Sequence, residues 1–97
     1  MTAEERKAID RRLARIEGQV RGLRRMVEQD AYCSDILQQV SAVDSALSQV
    51  SAAVASQHIK HCVLGHDTGE AHPVAKSMTR EEVIEELDEV FSRLMRS

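Results

Sequence analysis

Apolar residues recur along this chain at alternating steps of four and three, the spacing that places side chains on one face of a helix. The first stripe consists of Ile9, Leu13, Ile16, Val20, Leu23 and Val27. The second consists of Ile36, Val40, Val43, Leu47, Val50 and Val54, and the third of Val83, Leu87, Val90 and Leu94. The pattern predicts an all-α chain with three amphipathic helices.

The second of these helices is predicted to be long. We expect the first helix to end near Gln29, and Asp30 to act as the N-cap of the second. From there the chain runs without glycine or proline to Gly65, which predicts a helix of about 34 residues and about 50 Å. A chain of 97 residues cannot cover so long a helix by itself. We therefore expect the helix to pair with that of a partner chain.

A loop is predicted after the long helix, and a clean helix start after the loop. Gly65–Met78 contains two glycines and the only proline of the chain. Its two histidines, His66 and His72, are expected to be solvated. Thr79 is followed three residues later by Glu82, which is the sequence signature of a capping box.

Composition narrows the class of protein. The chain has one Tyr, one Phe and no Trp, which suits helices better than a β-sandwich or barrel. No apolar run reaches the roughly 20 residues that cross a bilayer, and the charged N-terminus lacks the apolar core of a secretory signal. We expect a single domain over residues 1–97, in the cytoplasm, with both cysteines reduced.

The net charge of the chain is −3, but the charged residues are unevenly distributed along it. Between Arg6 and Arg25 there are eight basic and two acidic residues, whereas residues 65–97 have four basic and eight acidic ones. A basic first helix is what a phosphate-binding surface needs, because local potential steers a polyanion. An ordinary solvated helix face is the alternative. By charge position, Arg15, Arg21 and Arg25 are candidate contacts to DNA.

Cysteine and histidine residues stand near both ends of the long helix. Cys33 and Cys62 are 29 positions apart in the sequence. In a continuous helix that is about 43 Å, too far for a disulfide or for one metal ion within a single chain. His58 and Cys62 are four residues apart and share a helical face. In an antiparallel pair of chains, Cys33 would face the partner's His58 and Cys62.

Two thiolates and one imidazole form a soft, three-coordinate ligand set that suits Cu(I) best. Zinc with His61 as a fourth ligand is an alternative, although His61 lies about 100° around the helix from Cys62 and should point away. The plain alternative is that Cys33 and Cys62 are small buried hydrophobes and His58 is a core histidine.

The sequence resembles the CsoR family of bacterial copper-sensing repressors over nearly its whole length. The similarity is carried by the run RLARIEGQVRGLRRMVEQDAYCSDILQQVSAV, by QHIKHC, and by the ending EEVIEELDEVFSRLM. Cys33, His58 and Cys62 match the family's Cu(I) ligand pattern. The resemblance implies a four-helix-bundle dimer that assembles into a homotetramer, without a helix-turn-helix. It also implies an apo form that binds operator DNA, and Cu(I) binding that lowers this affinity and derepresses copper export or homeostasis genes.

The resemblance implies further residue roles. Arg12 matches a basic residue through which the family binds operator DNA. Tyr32 and Glu86 match a tyrosine and an acid that would hydrogen-bond the second ring nitrogen of His58. Glu85 is the alternative acid.

Sensors of other signals, copper-binding proteins that do not bind DNA, and thiol enzymes are the alternative functions. Related nickel and cobalt sensors recruit a histidine near the N-terminus, formaldehyde sensors lack the second cysteine, and persulfide sensors lack the histidine. Copper is therefore the best match, ahead of nickel, zinc or thiol-reactive signals. A copper buffer or chaperone would use similar ligands but would not need an arginine-rich first helix. A thiol enzyme is disfavoured because the chain has no C-x-x-C motif, so we expect no enzymatic activity.

Overall fold

The computed structural model describes residues 1–96, and in that range every regular element is helical. The elements are α1 (Ala3–Glu28), α2 (Cys33–His58), a π-helical segment (Ile59–Leu64), α3 (Pro73–Lys76) and α4 (Arg80–Arg96). They divide into two compact units, one of residues 1–55 and one that begins at Ser56. The predicted all-α class is confirmed. Among the described residues, no helix has the length and hydropathy of a membrane span.

A capping box that was not predicted from the sequence begins α1. The Thr2 hydroxyl accepts the backbone N–H of Glu5 at 3.1 Å, and the Glu5 carboxylate accepts the backbone N–H of Thr2 at 2.6 Å. Two of the N–H groups that a helix start leaves without partners are thereby satisfied. This fixes the beginning of the arginine-rich helix.

The turn between α1 and α2 differs from the prediction for Asp30. This residue has a left-handed backbone with φ of 53°. Its N–H bonds the Val27 carbonyl at 3.1 Å, and the N–H of Ala31 bonds the Met26 carbonyl at 2.9 Å, the paired bonds of a Schellman motif. Asp30 therefore terminates α1, because aspartate tolerates the left-handed conformation. The predicted N-cap was wrong: Tyr32 is the residue that precedes α2, and its carbonyl accepts the N–H groups of Asp35 and Ile36.

In the first unit, α1 and α2 lie side by side. Arg12 donates from Nη1 to Gln49 Oε1 at 3.3 Å, and both residues lie a similar number of positions from the turn, so the helices run antiparallel. Only half of each apolar stripe is covered. Ile9, Ile16 and Val43 are buried, whereas the alternate positions Leu13, Val20, Val27, Val40, Leu47 and Val54 are exposed.

The second unit has a small core of its own. Cys62, Ala71, Ala75 and Val83 form the buried cluster, with Val83 fully buried. α4 packs against the π-helical segment that carries Cys62.

The predicted loop contains one short helix. His72 Nδ1 accepts the backbone N–H of Val74 at 3.2 Å, and Pro73 occupies the first helical position, so α3 begins there. The predicted capping box before α4 is confirmed, since Thr79 and Glu82 exchange backbone-to-side-chain bonds of 2.9 and 3.1 Å. The bond that the Thr79 backbone N–H donates to the Glu82 carboxylate, helped by the Thr79 side chain, lowers the pKa of that carboxyl.

Candidate functional site

Cys33 and Tyr32 stand at the start of α2. Cys33 is the first residue of the helix, and its thiol is free and exposed. Tyr32 is 74% exposed. A thiol in this position is open to a ligand or to another protein chain.

His58 and Cys62 belong to the second unit. His58 is the last residue of α2 and is half-buried, and the chain continues from it into the π-helical segment. Cys62 is a free thiol and only 5% exposed. Its Sγ accepts the backbone N–H of His72 at 3.5 Å. Short π-helical segments are frequent at functional sites, and no feature of the sequence predicted this one.

His61 is turned toward a different partner. Its ring is buried, and Nδ1 lies 3.5 Å from Glu70 Oε2. The spacing of His61 and Cys62 predicts that the two side chains point in different directions, and the contact of His61 with Glu70 agrees with that prediction.

The loop histidines differ from one another. His72 is exposed, as predicted, and caps α3. The prediction for His66 was wrong, because its side chain is only 14% exposed. Its protonated ring donates to the Asp67 carboxylate and to the carbonyls of Met78 and Ala75, and these hydrogen bonds raise the pKa of this histidine. Its partners are mostly backbone carbonyls, which residue type and spacing do not reveal.

The candidate DNA contacts of α1 fall into two groups. Arg12 and Arg15 line a cleft of about 520 Å³ that the first unit forms between its two helices. Its other lining residues are Ala8, Arg11, Ile16, Gln19, Ala46 and Gln49. The bond from Arg12 goes to a neutral amide, which leaves its charge uncompensated. Arg11 and Gln49 also line this cleft, although neither was among the predicted DNA contacts.

Arg21 and Arg25 lie further along α1. Arg21 is paired with Glu17 through Nη1 and Oε1 at 3.0 Å, and both side chains are exposed. Arg21 and Arg25 line a shallow hollow of about 240 Å³ with Arg24 and Glu28. Carboxylates thus weaken the positive field here more than in the cleft around Arg12.

Within residues 1–96, no three His, Cys, Asp or Glu side chains gather closely enough to hold a metal ion. The donor chemistry nevertheless fits a soft cation, since both cysteines are free thiols and His58 is partly accessible. Glu86 is exposed on α4.

A sequence model described as "Metal-sensitive transcriptional repressor" matches residues 5–93. The chain belongs to this family. Its members are transcriptional repressors and not enzymes, so the expectation of a non-enzymatic protein is confirmed.

Individual proteins that are similar to this chain are also metal-responsive transcriptional regulators. The chain is 42% identical over 96 residues to a copper-sensing transcriptional repressor of Bacillus subtilis strain 168, a match covering 99% of the chain and 87% of that protein. The crystal structure of a copper-sensing repressor with Cu(I) from Geobacillus thermodenitrificans NG80-2 superposes with a TM-score of 0.81 at 39% identity, covering 98% of this chain and 91% of that one. The nickel-responsive regulator InrS gives 0.68 at 30% identity, covering 90% and 89%.

Proposed function

We propose that this family member is a Cu(I)-responsive repressor whose apo form binds operator DNA. The observation that carries the proposal is the 42% identity to a copper-sensing repressor over nearly the whole chain. The two free thiols add chemical support, because thiolates favour Cu(I) over harder divalent ions. The protein acts in the cytoplasm, as one domain that binds both metal and DNA.

Cys33, His58 and Cys62 are the proposed metal ligands. In a continuous helix their sequence spacing would separate the two cysteines by about 43 Å, which favours a site to which one chain contributes Cys33 and a partner contributes the other two. The exposed Cys33 thiol at the first turn of α2 suits such a shared site. Bound Cu(I) would supply the signal, as a ligand that favours the form with low affinity for DNA.

Tyr32 and Glu86 are proposed to sense the state of His58. An imidazole that binds a metal through one nitrogen can donate a hydrogen bond from the other. Both proposed partners are exposed in the single chain. Conservative replacement of either should weaken the coupling between metal and DNA more than metal capture.

Arg12, Arg15, Arg21 and Arg25 are the proposed DNA contacts. Phosphate contacts position a protein on DNA and account for much of its affinity. The cleft around Arg12 and Arg15 has a high local density of uncompensated positive charge on an otherwise acidic protein. We therefore place the strongest phosphate contacts there and weaker ones at Arg21 and Arg25.

A second copy of the chain is the proposed partner for the exposed apolar rows of α1 and α2. Each row repeats every seven residues, as in helices that pack against one another in a bundle. The face is exposed at Leu13, Val20, Leu47 and Val54 among others. Two chains that bury these rows together would form the four-helix bundle that the family resemblance implies, and two such dimers would form the homotetramer.

A panel of effectors tests the function. Fluorescence anisotropy on labelled DNA from the chain's own promoter should show binding by the apo protein and release on addition of Cu(I). Nickel and zinc ions at equal free concentration should release much less. Release by nickel alone would make the protein a nickel sensor, and an apo protein that fails to bind the promoter would contradict the repressor assignment.

A further inference from the structure

The segment Gly65–Met78 folds back over Cys62, and one imidazole ties its two ends together. His66 Nε2 lies 3.0 Å from the Ala75 carbonyl oxygen and 2.7 Å from the Met78 carbonyl oxygen. Ala75 belongs to the buried cluster around Cys62, and Met78 packs against that cluster. His66 therefore holds the part of the segment that covers the thiol.

A second set of bonds fixes His66 in place. Its Nδ1 lies 3.2 Å from Asp67 Oδ1, and Asp67 Oδ2 accepts from Arg80 Nη2 at 2.9 Å. Arg80 also donates from Nε to the Val63 carbonyl at 3.1 Å. Asp67 on the same turn and Arg80 from α4 are thus the charged groups around this imidazole. The bonds connect the residue next to Cys62 with the first residue of α4.

The closed segment brings a hydrogen-bond donor to the sulfur. The backbone N–H of His72, in the middle of the segment, donates to Cys62 Sγ at 3.5 Å. The His72 side chain is engaged in capping α3, so its backbone has a fixed direction. Opening of the segment would remove both this N–H···S bond and the cover that Ala71 and Ala75 give to Cys62, which is 5% exposed.

We propose that His66 is a positioning residue that keeps Gly65–Met78 closed over the Cys62 thiol, and that breaking its bonds to the two carbonyls opens the segment and exposes the sulfur. Only the role of the closure rests on the proposed function: if Cys62 is a metal ligand, the closed segment controls how readily a metal ion reaches its sulfur. The closure itself depends on contacts within one unit of one chain.

Protonation strengthens the closure. The imidazolium donates from both nitrogens, to the carbonyls and to the Asp67 carboxylate. A neutral ring has only one N–H. It therefore loses either its bonds to the two carbonyls or its bond to the Asp67 carboxylate, depending on which nitrogen keeps the proton. Because these partners raise the pKa of His66, the closure is complete below the ordinary histidine pKa. It weakens as pH rises through the raised value.

Alkylation of Cys62 tests the proposal without metal or DNA. In a Cys33→Ser background, iodoacetamide reacts with a single thiol at a fixed, mildly acidic pH. His66→Ala should speed the reaction by about tenfold, the change expected when the closed form loses a hydrogen bond to a charged donor. His66→Gln retains an N–H donor and should restore most of the protection. Lys76→Ala, an exposed change in α3, is the matched control and should leave the rate unchanged.

A second readout is made on the unsubstituted chain, with His66→Gln as its comparison. Amide exchange of His72, corrected for its intrinsic rate, should lose protection as pH rises through the titration of His66 followed by NMR. In His66→Gln the protection should be independent of pH over that range. Equal alkylation rates in the parent and His66→Ala would overturn the proposal, as would His72 protection that stays constant while His66 titrates. Neither result would bear on whether Cu(I) releases DNA.

Discussion

Substitution of Arg12 by alanine should flatten the salt dependence of DNA binding. Arg12 lines the cleft with Arg15, and its side chain is bonded to the neutral amide of Gln49, so its charge is available to a phosphate. Each phosphate contact contributes about 0.9 to the slope of log affinity against log salt. Arg12→Ala should therefore reduce that slope by about 0.9, or about 1.8 where two chains contact the same duplex.

The same relation gives the size of the affinity change. A fourfold rise in salt, from about 50 to about 200 mM, weakens each contact by about 3.5-fold. Arg21 should contribute less, since it must leave its exposed ion pair with Glu17, a pair worth at most about 1 kcal/mol. Glu17→Gln removes this competition, so the variant should bind DNA more tightly than the parent chain.

Anisotropy titrations at four or more salt concentrations supply the slopes. Arg93→Ala is the matched control, because it removes the same charge from an exposed position on α4 in the acidic part of the chain. An unchanged slope in Arg12→Ala, or an equal flattening in Arg93→Ala, would contradict a phosphate contact at Arg12. Either result would place the DNA surface outside the cleft.

Three further outcomes are expected. His58→Ala should leave a two-thiolate site that still captures Cu(I), while metal-driven release of DNA falls at least tenfold, about 1.4 kcal/mol of coupling, by anisotropy with and without saturating Cu(I). Val83→Ala removes two fully buried methyl groups and should lower the free energy of unfolding by about 2 kcal/mol, whereas exposed Val74→Ala should change it by less than about 0.5 kcal/mol in urea titrations. Hydrogen bonds from Thr79 lower the pKa of Glu82, so the stability that they add is present above the ordinary carboxyl pKa and is lost as pH falls through the lowered value. Glu82→Gln should make this loss of stability smaller in acid denaturation followed by circular dichroism.

The helices could be predicted from the sequence because their apolar positions follow the helical period over several turns. The same stripes could not show which half of each is covered within one chain. Ile16 is buried and Leu13 exposed, although both occupy the same stripe, because the difference depends on where α2 lies. Asp30 was misassigned because aspartate suits both an N-cap and a left-handed helix end, and residue type alone does not choose between them.

The sequence predicted only those residues of the candidate site whose side chains have a distinctive chemistry. Two cysteines and a histidine at helical spacing are recognisable as soft metal donors, and their assignment as ligands stays a prediction. His66 carries no such signal, since its closest partners are the backbone carbonyls of Ala75 and Met78. The π-helical segment around Cys62 was also beyond prediction, because no residue in it is characteristic of that geometry.

Complementation between two defective chains tests the central claim most directly. Cys33→Ala and Cys62→Ala chains should each bind promoter DNA and retain it when Cu(I) is added. In a heterodimer of the two, one site combines the intact Cys33 of one chain with the intact His58 and Cys62 of the other. Anisotropy of the refolded mixture should therefore show Cu(I)-driven release that neither chain gives alone. A mixture that holds DNA as firmly as its separate components would contradict a Cu(I) site shared between two chains.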